Sequence, residues 1–176
     1  MMKKLNKKIL FNIIGFYFCW WASIFGATNK FYFIGPIFVS IFLLIHFLYV
    51  INQKKEIIFI LICFFIGLLI DSFFLRFDII HYKGYLPDNF NIAPLWVVSL
   101  WMCFGSSISH SFRWVKGNYM SLFLLGAVSG PLIYASATKL EVLYFNYAAY
   151  INLISVSLAW GVFLPFVVYL SDKIVD

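Results

Sequence analysis

Six apolar windows alternate with short polar breaks along the chain, over residues 9–27, 31–51, 57–75, 92–112, 119–137 and 147–170. A helix needs about 20 apolar residues to cross about 30 Å of hydrocarbon, and the windows have that size. The breaks fall at Asn29-Lys30, at 52–56, at 76–91, at 113–118 and at 139–146. The pattern predicts an all-α fold, a polytopic membrane bundle of about six transmembrane helices forming one domain. The one sizeable loop, RFDIIHYKGYLPDNFN at 76–91, has Gly84 and Pro87 as turn residues. Its aromatics Phe77, Tyr82, Tyr85 and Phe90 suit a belt at the membrane interface.

In lipid, apolar contact alone gives helices little reason to associate, so small and polar residues mark the touching faces. Asn12, Gly15, Cys19, Ala22 and Gly26 recur at steps of three and four on one face of the first window. Trp96, Ser99, Cys103, Ser106, His110 and Arg113 do the same in the fourth. Cys63, Gly67 and Asp71 share a face in the third, and Ala148, Asn152, Ser155 and Ala159 one in the sixth. Gly126 and Gly130, followed by Pro131, form a close-packing motif in the fifth.

Composition agrees with the windows: of 176 residues 64% are hydrophobic and 11% charged, against about 25% charged in soluble domains. The net charge of +6 does not indicate nucleic acid, because no basic face with exposed stacking aromatics occurs. It indicates topology. With a cytoplasmic N-terminus, Lys3, Lys4, Lys7, Lys8, Lys54, Lys55, Arg113, Lys116 and Lys173 gather on that side, and Lys30, Arg76, Lys83 and Lys139 on the other. That asymmetry is the one a bacterial inner-membrane protein with both termini cytoplasmic shows. The first window is longer than the apolar core of a signal peptide and no small-x-small site closes it, so it reads as a retained span.

The cysteines Cys19, Cys63 and Cys103 lie inside apolar windows without C-x-x-C or His at ligand spacing, so no metal site and no cofactor are expected. H-E-x-x-H, G-x-S-x-G, P-loop and G-x-G-x-x-G motifs are all missing, which removes the metalloprotease, hydrolase-elbow and nucleotide-binding readings. No span carries a ring of charges or a filter-like loop, so a channel is not supported either.

An ionisable group at the membrane centre costs about 2.5 to 3.5 kcal/mol on insertion scales, so Asp71 needs a partner or a purpose. At about 1.5 Å per residue it stands about 21 Å above the cytoplasmic edge of its helix, whereas His46 and His110 lie about 22 and 27 Å below the outer edge. The histidines therefore meet each other and Asp71 meets neither, which excludes a triad of Ser106, His110 and Asp71. Two polar layers follow. Asn12, His46, Ser106, His110 and Arg113 converge on the cytoplasmic side as an imidazole pair beside a cation suited to an anionic headgroup. Asp71, Tyr134 and Asn152 form a hydrogen-bonded group on the outer side.

The segments GLLIDS (67–72), NIAPLW (91–96), SISHSFRW (107–114) and GAVSGPLIY (126–134), in that order, resemble the bacterial membrane-protein family known as domain of unknown function 2878. The resemblance runs from about Asn12 to Phe145 and leaves the last span largely outside. It implies weight on Asp71, Trp96, His110, Ser111 and Pro131. The family has no assigned activity, and its genes neighbour enzymes resembling cyclopropane-fatty-acid synthases and flavin oxidoreductases, which implies lipid modification by association. Tyr17 stands where the family pattern has a glutamine. The sequence thus nominates His110, His46 and Asp71 as catalytic groups and Arg113, Trp96, Ser106 and Ser111 as substrate contacts. Membrane lipids are the expected partners, with an enzyme or accessory role in acyl-lipid modification. The rivals are a small proton-linked transporter or flippase with Asp71 as coupling acid, and a structural partner of another membrane enzyme.

Overall fold

A computed structural model describes residues 7–49, 54–84, 91–111 and 117–175. Among them are six helices: α1 (Lys7–Thr28), α2 (Ile34–Tyr49), α3 (Lys54–Arg76), α4 (Leu95–Ser111), α5 (Tyr119–Lys139) and α6 (Ala149–Ile174). Each overlaps one apolar window. Asn118 starts α5 by accepting the Ser121 backbone N–H at 3.0 Å, which satisfies a donor the first turn leaves free.

α1, α3, α5 and α6 are long and apolar enough to cross a membrane. α2 and α4, with 16 and 17 residues, measure only about 24 and 26 Å at helical rise. The outward faces are apolar: Phe18, Trp21 and Phe25 on α1, Leu61, Phe65 and Leu69 on α3, Val128 and Leu132 on α5, and Leu158 and Val162 on α6 are exposed. Polar residues would occupy such faces on a helix that met water.

α4 is the central helix, packed against α1, α2, α3 and α6, while α5 rests mainly on α6. The centre is aromatic. Trp101 of α4 stacks on Trp160 of α6 with ring centroids 5.0 Å apart and meets Phe163 edge-on at 4.6 Å. Rings this large fit because glycines face them. A Cβ at Gly67 would collide with the Trp101 ring, and one at Gly130 with the Trp160 ring. The small-residue stripes of α3 and α5 are thus sockets for tryptophans.

The bundle is helical apart from one short strand pair, in which β1 (Ile80–Tyr82) and β2 (Leu143–Phe145) run antiparallel, with Ile80 opposite Phe145 and Tyr82 opposite Leu143. Both strands come from segments read as connections, and Ile80, Tyr82 and Leu143 are buried at the end of the bundle. Tyr82 is therefore a core residue and not part of an interfacial belt. Gly84 ends β1 at φ +75°, tight against the Tyr32 ring. The contact face of α6 is also rotated from the predicted stripe: Asn152 is buried, Ala148 is exposed and Ser155 and Ala159 are half-buried, while Val156, Trp160, Leu164 and Val167 make the face. Large rings and branched chains hold this helix, so a search for small residues selected the wrong side.

Candidate functional site

The two polar layers lie at opposite ends of the bundle. Glu56 and Asp71 on α3 are 15 residues apart, about 22 Å at helical rise.

At the end with the strand pair, Asp71 is fully buried and three donors from three elements converge on it. Tyr82 of β1 and Tyr134 of α5 donate to Oδ1 at 2.7 and 2.5 Å, and Trp101 of α4 donates to Oδ2 at 2.6 Å. The strand pair explains why Tyr82 arrives there, since the alternation of β1 turns Ile80 and Tyr82 to the same inner side. Burial, with the Asp71 charge beside it, pushes the Tyr82 phenol above the ordinary tyrosine range. Trp96 ties α4 to this layer by donating its indole N–H to the Lys83 carbonyl at 2.8 Å. Asn152, expected beside Asp71, instead donates to the Tyr147 and Ala148 carbonyls at the start of its own helix.

Helix ends build the layer at the opposite end, with Asn12 in the second turn of α1, His46 in the last turn of α2, Glu56 in the first turn of α3 and His110 in the last turn of α4. Glu56 Oε1 lies 3.1 Å from His46 Nε2 and 2.8 Å from His110 Nε2. The imidazole centroids are 5.6 Å apart, so the histidines do meet. His46 Nδ1 contacts Asn12 Oδ1 at 2.9 Å, and Asn12 Nδ2 donates to the Ser106 carbonyl at 3.4 Å. Ser106 returns its hydroxyl to the Cys103 carbonyl. His46 is fully buried, Glu56 is 2% exposed, and the His110 side chain is 15% exposed.

The partner that the described structure gives the histidine pair is thus an acid where a cation was expected. Glu56 was read only as part of a charged break. It continues the α3 face of Ile60, Cys63, Gly67 and Asp71 at steps of four, three, four and four, and following that face two more turns would have found it. Arg113 and the side chain of Ser111 lie outside the described residues.

A narrow apolar cleft separates α1 from α5 and reaches in to α4 and α6. Phe16 and Trp20 form one wall, Ile133 and Ala137 the other, and Trp101 and Tyr134 the floor. Trp96 also lines it. At its outer mouth the groove continues between Tyr17 and Leu132, both exposed. Two floor residues are therefore also donors to Asp71. Trp160, also against the cleft, brings its buried indole N–H beside the Tyr134 hydroxyl.

These features define a helical bundle with apolar outer faces, a laterally open cleft and a buried acid–imidazole cluster. The chain belongs to the family described as protein of unknown function (DUF2878), whose pattern matches residues 9–166. The match runs well into α6, further than the motifs alone indicated. No curated protein and no solved structure matches the chain.

Proposed function

We propose that the protein is a six-span component of the bacterial inner membrane, with both termini cytoplasmic, that takes an acyl chain into the α1–α5 cleft and serves acyl-lipid modification as an enzyme or accessory subunit. The cleft carries this reading. Its walls are hydrocarbon and aromatic rings, and it opens sideways between two helices whose outer faces suit lipid. A lipid chain would enter from the bilayer without crossing water.

The orientation draws support from the distribution of charge. Lys7, Lys8, Lys54, Lys55 and Lys173 stand at the end of the bundle that holds His46, Glu56 and His110, and Lys30, Arg76, Lys83 and Lys139 at the end with the strand pair. In this reading Trp96, Trp101 and Tyr134 shape the cleft, His110 faces the cytoplasmic leaflet, Arg113, Ser106 and Ser111 serve as substrate contacts, and a further membrane enzyme is a docking partner. The transporter reading draws less support, since Asp71 is fully buried and engaged by three buried donors.

A photoactivatable phospholipid with its diazirine in mid-chain tests the proposal in reconstituted vesicles. Crosslinks are expected on Phe16, Trp20, Ile133 and neighbouring cleft residues, and Ile133→Trp, which fills the mouth, should remove most of them. Crosslinks spread evenly over the outer faces, unchanged by Ile133→Trp, would refute an acyl site. Lipid profiles of cells with and without the gene then test the link to modification, which predicts an altered acyl species.

A further inference from the structure

We infer that His46, Glu56 and His110 form a binding site for one divalent transition-metal ion, oriented by Asn12 and independent of the acyl cleft. The inference rests on where protons and lone pairs must lie. The Ser106 carbonyl only accepts, so the Asn12 amide presents Nδ2 to it and turns Oδ1 toward His46. His46 Nδ1 must then carry a proton and donate. In a neutral imidazole the other nitrogen, Nε2, bears a lone pair, and here it points at Glu56 Oε1, itself an acceptor, 3.1 Å away. Two lone pairs face each other in a buried place unless a cation lies between them. A second proton on His46, a proton on Glu56 or a metal ion resolves this.

The geometry admits the metal. One ring nitrogen of each histidine and a Glu56 oxygen all lie within 4.8 Å of one another. A tetrahedral ion with ligand bonds of about 2.0 to 2.1 Å sets its ligands about 3.3 Å apart, so the two carboxylate–imidazole distances of 3.1 and 2.8 Å need open only slightly to take it. Two imidazoles and one carboxylate are a donor set for zinc or ferrous iron, with positions left for water or another ligand. Asn12 supplies what a metal-bound histidine ordinarily has, an acceptor on its other ring nitrogen that fixes tautomer and ring plane. Phe42 and Phe47 flank the His46 ring at 5.9 and 6.2 Å and shield it from solvent.

Full-length protein in detergent, stripped with a chelator, is titrated with Zn²⁺ and with Co²⁺. The site predicts one equivalent per chain, and a cobalt spectrum with ligand-field bands but no thiolate charge-transfer band. His46→Ala, Glu56→Gln and His110→Ala should each abolish that equivalent. Asn12→Leu should keep the stoichiometry and weaken binding about 10- to 100-fold, the usual effect of losing an outer-shell partner. Absence of stoichiometric uptake of either ion by the unsubstituted protein would overturn the site and leave the His46–Glu56 pair held by a proton. So would a thiolate band, which would assign the ion to one of the buried cysteines Cys19, Cys63 and Cys103. These results need no variant, so a misfolded substitution does not obscure them.

Discussion

Tyr134→Phe removes one oxygen and nothing else from the layer around Asp71, which makes its cost a direct measure of that layer. Tyr134 donates to Oδ1 at 2.5 Å from a side chain that is 5% exposed, so water cannot replace the lost donor. An average interhelical hydrogen bond in a membrane protein is worth about 0.6 kcal/mol, whereas one to a charged group is worth about 1.5 to 3 kcal/mol. Trp101 has only a donor to offer and both tyrosines share one oxygen, an arrangement that suits a carboxylate. We therefore expect Tyr134→Phe to cost about 1.5 to 3 kcal/mol, at the upper range. Unfolding in mixed micelles by a denaturing detergent, followed by tryptophan fluorescence, reads this, since Trp101 and Trp160 flank the group. In an Asp71→Asn background the same substitution should cost only about 0.6 kcal/mol, the neutral value. A loss below about 0.5 kcal/mol, or an equal loss in both backgrounds, would refute an anchor centred on Asp71.

The remaining expectations follow from close approaches. Gly67→Leu inserts a side chain into the Trp101 ring and should cost at least about 1 to 3 kcal/mol of overpacking, read in the same unfolding assay; a neutral result would place the α3–α4 contact elsewhere. Gly84→Ala and Gly117→Ala both force a side chain onto a positive φ, +75° and +81°, but Gly84 is backed by Tyr32 while Gly117 faces open space. Both should lose about 1 to 2 kcal/mol from the left-handed backbone, and Gly84→Ala distinctly more; equal losses would mean that Tyr32 yields at no cost.

The helices were legible because lipid-sized apolar windows separated by charges leave few alternatives. The polar layers were legible in part, from helical rise alone: His46 meets His110, and Tyr134 meets Asp71 far from both. Glu56 was hidden by Lys54 and Lys55, which made a first-turn acid look like part of a solvated break. The strand pair joins two three-residue segments more than sixty positions apart, and nothing local specifies such a pairing. Its trace was the β-branched and aromatic character of 79–82 and 142–145. Tyr82 was lost with it, since only the strand carries that phenol from the loop to Asp71. Asn152 failed for a simpler reason: near the start of a helix an amide finds nearby carbonyls before it finds a distant partner.

Everything functional here depends on the bundle crossing the membrane with the strand pair outside and the histidine end inside. Single cysteines at Tyr144, an exposed position on β2, and at Lys173, near the end of α6, report on this directly, because the native cysteines Cys19, Cys63 and Cys103 are buried. In spheroplasts treated with an impermeant maleimide, Tyr144→Cys should label at once and Lys173→Cys only after the membrane is opened. Labelling of both from the same side, or of Lys173→Cys in sealed spheroplasts, would contradict the account.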